Sequence, residues 1–268
     1  MSNPYLNDKA IATAAQAGWA APDPTTAVRS TPITDGPISS WRPRVMTVQG
    51  TITATGVLMV LLLASATAGW MAAPTYGEDQ VGLPGLALVG ILVGFACAIA
   101  VHFKPMWARV LAPVYALAEG FFLGALSKAY ESYQDGIVVQ AVGATLGVAV
   151  VMLVLYRLQI IKVTDRFRRI VVTATLGLMV FYGISLLINL FGGNVTFLHS
   201  ASLLGIGFSI FAATLAAMNL ALDFDFIEKG SRQALPKGME WYAAFGLLIT
   251  LVWLYLELLR LLAKLNRR

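Results

Sequence analysis

The sequence predicts an all-α integral membrane protein with seven transmembrane helices. Hydrophobic residues make up 58% of its 268 residues, and charged residues make up 12%. The charged fraction is about half the roughly 25% of an ordinary soluble domain. Seven separate stretches are apolar over about 20 residues, the length that an α-helix needs to cross roughly 30 Å of hydrocarbon. This combination of length and low charge excludes a soluble domain.

The first 45 residues lack a sustained apolar pattern. Together with the five residues that follow, they hold six of the eleven prolines and many Ser, Thr and Ala residues. A segment of this composition cannot bury enough apolar surface to fold alone. We therefore predict a disordered cytosolic tail over residues 1–45 and a seven-helix transmembrane domain over residues 46–268.

The seven apolar stretches are the predicted transmembrane helices. Aromatic residues such as Trp70, Trp107 and Trp241 fall near their ends, where the membrane interface favours them. The predicted helices cover residues 51–73, 82–101, 110–130, 137–156, 170–191, 200–222 and 241–262.

Basic residues predict the orientation of these helices. If the N-terminus is inside, fourteen Lys and Arg residues fall in the inner segments and five in the outer ones. Because positive residues concentrate in cytoplasmic loops, we expect the N-terminus inside. The odd number of helices then places the C-terminus outside, with Lys264, Arg267 and Arg268. The net charge of +5 is spread over short loops, so we expect no nucleic-acid partner.

Three consecutive helices each carry two glycines four residues apart. Small residues at this spacing let helix backbones approach closely in lipid. We predict that they serve packing within one bundle more than a dimerisation face, and we expect a monomer. The pairs are Gly90 with Gly94, Gly120 with Gly124, and Gly143 with Gly147.

Four acidic residues fall within or at the edge of the predicted helices. Glu119 lies in the middle of the third helix, Asp223 and Asp225 close the sixth, and Glu257 lies in the seventh. An acid inside a membrane is costly unless it is paired, hydrated or protonated, so each is a candidate functional residue. Glu119 has two equal interpretations, a structural hydrogen bond to a neighbouring helix or a role in conduction.

Helix geometry separates the two acids of the sixth helix. Asn219 lies four residues before Asp223 and shares its face, whereas Asp225 is turned by about 200° at roughly 100° per residue. We therefore predict that one acid points into the bundle and the other toward the cytosolic loop near Lys229 and Arg232.

Motifs typical of catalysis and metal binding are missing from the sequence. It has no G-x-S-x-G, H-E-x-x-H or Walker A motif. The single cysteine, Cys97, and the distant residues His102 and His199 offer no ligand spacing. We expect neither an enzyme nor a bound cofactor.

Two segments resemble one known family. Residues 222–227 (LDFDFI) and the last helix over residues 244–262 resemble the Bax inhibitor-1 family of bacterial and organellar membrane proteins. Residues 2–4 and 46–50 resemble a long-tailed bacterial branch of it. The resemblance implies six helices around a central seventh helix in the bacterial cytoplasmic membrane. It also implies a pH-sensitive calcium leak gated by two aspartates where the sixth and seventh helices meet.

The resemblance assigns the first gate aspartate to Asp223 and leaves two alignments for the second. An ungapped match of the last helix places Thr250 there, whereas a match of the family's L-Y-L-D to this helix places Glu257 there. Measured from Trp241 at the inner face, Thr250 is about 14 Å and Glu257 about 24 Å along the helix. Because Asp223 is near the inner face, we expect Thr250 as its neighbour. A pH gate would then depend on Asp223 itself, or on Asp225 as its second acid.

Two functional hypotheses follow. The first is a passive pathway for calcium or another cation, with Asp223 at the inner mouth and with Glu119, Glu257 and Asn219 as further cation or proton sites, because oxygen ligands suit Ca²⁺. Proton-coupled transport of a small solute is a variant of it. The second is a non-conducting regulator whose tail binds a membrane protease or a stress-response partner.

Overall fold

The computed structural model of the chain describes residues 45–76, 80–82, 84–192 and 200–267. Contacts divide the chain into two units, Met1–Pro43 and Arg44–Arg268. The first unit lies outside the described residues, and so the disordered tail over residues 1–45 stays a prediction. The second unit contains the whole described part of the chain.

The described residues form seven helices that are long and apolar enough to cross a membrane. The predicted all-α class with seven transmembrane helices is thereby confirmed. Two short antiparallel strands, β1 (Thr75–Tyr76) and β2 (Gln80–Val81), follow the first helix, and a 3₁₀ turn over Pro105–Trp107 leads into the third. The helices are α1 (Val48–Ala72), α2 (Gly85–Phe103), α3 (Ala108–Glu131), α4 (Ile137–Arg157), α5 (Asp165–Leu190), α6 (Leu203–Arg232) and α7 (Met239–Asn266).

Hydroxyl side chains define the starts of three helices. Thr47 accepts a hydrogen bond from the Gly50 amide at the start of α1, and Ser202 accepts one from the Gly205 amide at the start of α6. Thr164 caps α5 in the same way. Each cap satisfies a backbone donor that the first helical turn leaves without a partner.

The helices extend beyond the predicted apolar stretches. α5 begins at Asp165 instead of residue 170, and α6 ends at Arg232 instead of residue 222. The apolar length marks only the part of a helix that lies in hydrocarbon, because the backbone can stay helical through the polar turns on either side. Asp223 and Asp225 therefore lie inside α6 and not at its end, which corrects their predicted location.

The last helix, α7, is the centre of the bundle, as predicted. One buried cluster joins it to α1, α2 and α3 around Leu58, Val101, Tyr115 and Leu248. A second cluster joins it to α4 and α6, and Trp253 of α7 packs against a third between α5 and α6. Each of the other six helices therefore shares a core with α7.

Glycines bring α1 and α3 into backbone contact. A Cβ atom on Gly124 would collide with the carbonyl oxygen of Ala66, and one on Gly120 would collide with that of Leu62. Gly90 of α2 approaches the Ala118 carbonyl of α3 in the same way, at 2.6 Å from an added Cβ. The third glycine pair has no such contact, since an added Cβ on Gly143 or Gly147 would meet nothing within 4 Å.

The start of α1 and the α2–α3, α4–α5 and α6–α7 turns meet at one end of the bundle, here called the basic end. The Met46 amide donates to the Leu235 carbonyl at 2.6 Å, and the Tyr156 hydroxyl donates to Glu228 at 2.5 Å. Met106 packs against Gly238. These turns carry many of the basic residues that the sequence assigns to the inner side.

Candidate functional site

A cavity of about 450 Å³ lies between α2, α5, α6 and α7 at the basic end. Its walls are largely apolar, but each of the four helices contributes a polar side chain. His102 lies in the last turn of α2, Arg168 lies in the first turns of α5, Asn219 and Asp223 lie on α6, and Tyr242 lies on α7. The cavity therefore holds the sixth-helix acid that the sequence singles out, together with a cationic side chain.

Asp223 is the acid of this cavity, and the residue as a whole is partly exposed. Its Oδ2 atom is buried and has no hydrogen-bond partner among the described residues. A buried polar atom without a partner costs about 1–3 kcal/mol, and more when it is charged. Native proteins seldom leave such an atom without a partner, so we expect a proton, a water molecule or an ion to satisfy it.

The structure brings Asp223 and Thr250 together. The Thr250 hydroxyl is close enough to affect the Asp223 carboxyl. Its proton goes to the Gly246 carbonyl oxygen, 3.1 Å away within α7. An added Cβ on Gly246 would itself lie 3.7 Å from Asp223 Oδ1, so a glycine leaves room for the carboxyl at this crossing.

Asp225 faces a different set of partners. Its Oδ2 atom lies 2.7 Å from Arg168 Nη2 and 2.8 Å from Lys229 Nζ. The Asp225 side chain is 8% exposed, whereas each of the two cations is 49% exposed. The two acids of α6 thus lie in different surroundings, and Arg232, also expected nearby, pairs with Glu228 instead.

Asn219 connects α6 to α5 beside the acid. Its amide nitrogen donates to the Thr175 hydroxyl at 2.8 Å and to the Leu215 carbonyl at 2.9 Å. Both donor hydrogens are then used within the protein, and the amide carbonyl oxygen remains as an acceptor. Asn219 lines the same cavity as Asp223.

Glu257 lies elsewhere, in a neutralised cluster between α5 and α7. Its carboxylate is 1% exposed and accepts hydrogen bonds from the Tyr182 hydroxyl at 2.7 Å and from Arg260 at 3.0 Å. Trp253 donates to it as well, at 3.3 Å. Of the two alignments, only the one through Thr250 places a side chain next to Asp223.

Glu119 lies between α2 and α3, outside this cavity. An added Cβ on Gly94 would lie 2.9 Å from Glu119 Oε2, so the glycine of α2 provides the space for the carboxylate. The structure does not bring Glu119 to Asp223, and its role stays a prediction.

The sequence did not identify two polar residues that the structure makes prominent. The charge pattern assigns Arg168 to a basic loop, yet it lies in α5 and reaches the cavity. Thr164 and Asp165 form a helix-start signal that indicates the longer α5. Lys264, assigned to the outer end of α7, is 3% exposed and donates to the Gly205 carbonyl and to Ser209 of α6.

The chain matches the family described as Bax inhibitor 1 like over residues 3–267. It belongs to the Bax inhibitor 1 like family. No curated protein matches the chain. Family membership agrees with the seven-helix architecture.

In this Bax inhibitor 1 like protein, the oxygen atoms that could bind a cation where α6 meets α7 belong to a carboxylate, an amide and a hydroxyl. They belong to Asp223, Asn219 and Thr250. No group of three or more His, Cys, Asp or Glu side chains within the described residues is placed to hold a metal ion. Ca²⁺ takes about six to eight oxygen ligands, so a calcium ion at Asp223 would keep much of its water.

Proposed function

We propose that this Bax inhibitor 1 like protein is a passive cation pathway for calcium, controlled at Asp223. The observation that carries the proposal is the buried Oδ2 atom of Asp223, which faces the cavity at the basic end and has no partner among the described residues. A carboxylate removed from water is stabilised most by a bound cation or by protonation. Both a cation and a proton can bind and dissociate.

The neighbouring ion pairs support this role because they leave Asp223 uncompensated. Arg168 lines the same cavity, yet its guanidinium is bound to Asp225 at 2.7 Å. Lys229 is bound to Asp225 as well. These two cations are therefore bound to one acid of α6, and the other acid remains available to a passing ion.

The proposal includes a pH response that depends on Asp223. Two carboxylates that share a proton titrate as a coupled pair. Thr250 stands at the crossing where the family resemblance expects a second aspartate, and a hydroxyl can only form a hydrogen bond. Protonation of Asp223 removes its charge and with it the attraction for a divalent cation.

The proposed orientation places the basic end in the cytosol of a bacterial cell. The turns at this end carry the basic residues, and positive residues concentrate on the cytoplasmic side of membrane proteins. Asp223 would then control the inner mouth of the pathway, with the N-terminus inside.

Calcium flux into liposomes tests the proposal. The full chain is reconstituted with a trapped calcium dye, and uptake is compared among the wild type, Asp223→Asn and Asp165→Asn. Asp165 is an exposed acid at the start of α5 and provides the matched control. We expect flux from the wild type and the control, and a loss of flux from Asp223→Asn. Flux that survives both Asp223→Asn and Asp223→Ala removes the proposed role.

A second candidate is a non-conducting regulator whose first 45 residues bind a membrane protein partner. The observation that favours it is the attachment of Val45, the last residue of this tail, and of Met46 to the α6–α7 turn. Val45 pairs with Pro236, and Met46 is 1% exposed in a cluster with Ile227 and Ala243. A partner that pulls on the tail would act directly on that turn.

Deletion of residues 1–44 separates the two candidates. The deletion keeps Val45 and Met46, so the attachment to the α6–α7 turn is preserved. If the protein is a regulator, the deletion abolishes its cellular phenotype and leaves any ion flux unchanged. A full phenotype without the tail counts against this candidate. Proton-coupled transport of a solute, the remaining variant, predicts uptake that requires a proton gradient.

A further inference from the structure

A second cavity, here called the lateral crevice, lies in the part of the bundle away from the basic end. It has a volume of about 590 Å³ and is formed by α1, α3, α4 and α7. Leu63 and Met71 of α1, Leu146 of α4 and Val252 of α7 are typical of its walls. The crevice is separate from the Asp223 cavity, and the proposed function does not use it.

The hydroxyl groups in the lateral crevice are satisfied within the protein. Ser127 and Tyr255 form a hydrogen bond with each other at 2.6 Å. Thr67 donates to the Ala64 carbonyl at 2.7 Å, and Thr145 donates to that of Ala141 at 2.7 Å. These side chains require no polar ligand, so the crevice suits a hydrocarbon chain.

The lateral crevice cannot close by a movement of α1 toward α4. α1 is fixed to α3 by backbone contacts at Gly69, Gly120 and Gly124, where an added Cβ would collide with the opposite helix. α1 and α4, the two opposite walls, share no extensive contact. A gap this large between transmembrane helices is filled, because loss of contact on one side of packed groups is unfavourable.

We propose that the lateral crevice binds an acyl chain of a bilayer phospholipid. Leu63 is 53% exposed, Val142 40% and Leu146 55%, so the crevice opens sideways between two transmembrane helices. Lipid chains are the molecules that surround these helices in the hydrocarbon. The chemistry of the walls and the location of the opening therefore indicate the same occupant.

A cationic side chain lies at the same end as the lateral crevice. Lys128 directly follows the crevice residue Ser127, and its ammonium donates to the Ala73 carbonyl at 2.7 Å, two residues beyond Met71. That bond uses one of three ammonium hydrogens. The other two are left to donate to a phosphate oxygen of a lipid whose chain lies in the crevice.

Lipid retention tests the proposal. The full chain is reconstituted in vesicles of phosphatidylethanolamine and phosphatidylglycerol, extracted into mild detergent, and weighed intact by native mass spectrometry. Val142→Trp and Leu63→Trp narrow the lateral crevice from opposite walls. The controls Val139→Trp and Val60→Trp place the same side chain on the same two helices, at positions that are 74% and 67% exposed and do not line the crevice.

We expect one retained phospholipid on the wild type and on both controls. Each crevice variant should retain less, by roughly tenfold in affinity if about two chain methylenes are excluded. Lys128→Met should lower retention as well, and unchanged retention would overturn the phosphate contact.

Equal retention by all four tryptophan variants would overturn the proposal. So would a wild-type protein that carries no lipid, or one that carries detergent or another apolar molecule in place of a phospholipid. If one crevice variant fails to fold, the variant on the other wall and the mass retained by the wild type decide the question.

Discussion

Substitution of Gly124 by alanine should destabilise the bundle by separating α1 from α3. An added Cβ would lie 2.6 Å from the Ala66 carbonyl carbon and 2.8 Å from its Cα, whereas ordinary contacts are 3.4–4 Å. The obstacle is backbone, so it cannot turn away as a flexible side chain can. α1 therefore has to move, and a change that overpacks a core in this way costs about 1–3 kcal/mol.

Gly147 of α4 provides a matched control for this substitution. It also belongs to a pair of glycines four residues apart in a transmembrane helix, but an added Cβ meets nothing within 4 Å. Alanine is the better helix former by up to about 1 kcal/mol. Gly147→Ala should therefore leave the free energy of unfolding unchanged or raise it slightly.

Reversible unfolding in mixed micelles measures the difference between the two variants. We expect Gly124→Ala to unfold at lower denaturant than the wild type, and Gly147→Ala to unfold at the same denaturant or higher. Equal stability of the two variants would refute the reasoning, because both substitutions add the same methyl group and only the contact with α1 differs.

Two further substitutions, at the cations Arg260 and Lys264 of α7, are tested in the same unfolding assay. Arg260→Gln should lower the free energy of unfolding by about 3 kcal/mol, since it leaves the buried Glu257 carboxylate without its cation. The double variant with Glu257→Gln should recover part of this loss, and a stable Arg260→Gln protein would contradict the account. Lys264→Met should be neutral or stabilising, because the buried ammonium donates to the neutral groups of Gly205 and Ser209. A loss of several kcal/mol in Lys264→Met would show instead that the ammonium is essential to the bundle.

The sequence was sufficient to predict the class and the number of helices. Seven apolar stretches long enough to cross hydrocarbon leave few alternatives, because a backbone in lipid has to satisfy its own hydrogen bonds. The central location of α7 came from the family resemblance. The ends of α5 and α6 were wrong by several residues, since hydropathy does not detect the charged helical turns beyond the hydrocarbon.

The candidate site was predictable only in part. Helical rotation predicts that Asp223 and Asp225 face different partners, and depth along α7 predicts Thr250 instead of Glu257 as the neighbour of Asp223. The structure places these residues accordingly. The partner of Asp225, Arg168, depends on where α5 begins and how it crosses α6, which no local pattern contains.

The spacing of glycines and the count of basic residues do not predict a residue's contacts when those contacts depend on the helix face on which the residue lies. All three glycine pairs have the same spacing, yet Gly143 and Gly147 make no close approach in the described chain. Lys264 counts as a terminal charge in the sequence, but its location on α7 turns the ammonium toward α6. Which face of a helix meets a neighbour is determined by packing of the whole bundle.

The pH dependence of calcium uptake in the wild type and in Asp223→Asn tests the central claim most directly. Both proteins are reconstituted at the same density, and uptake is followed over a series of pH values. We expect wild-type flux to fall as the pH falls, because protonation of Asp223 removes its attraction for a divalent cation. The residual flux of Asp223→Asn should not change with pH, because the amide does not gain or lose a proton over the pH values tested. The same pH profile in both proteins would contradict the claim that Asp223 controls the pathway.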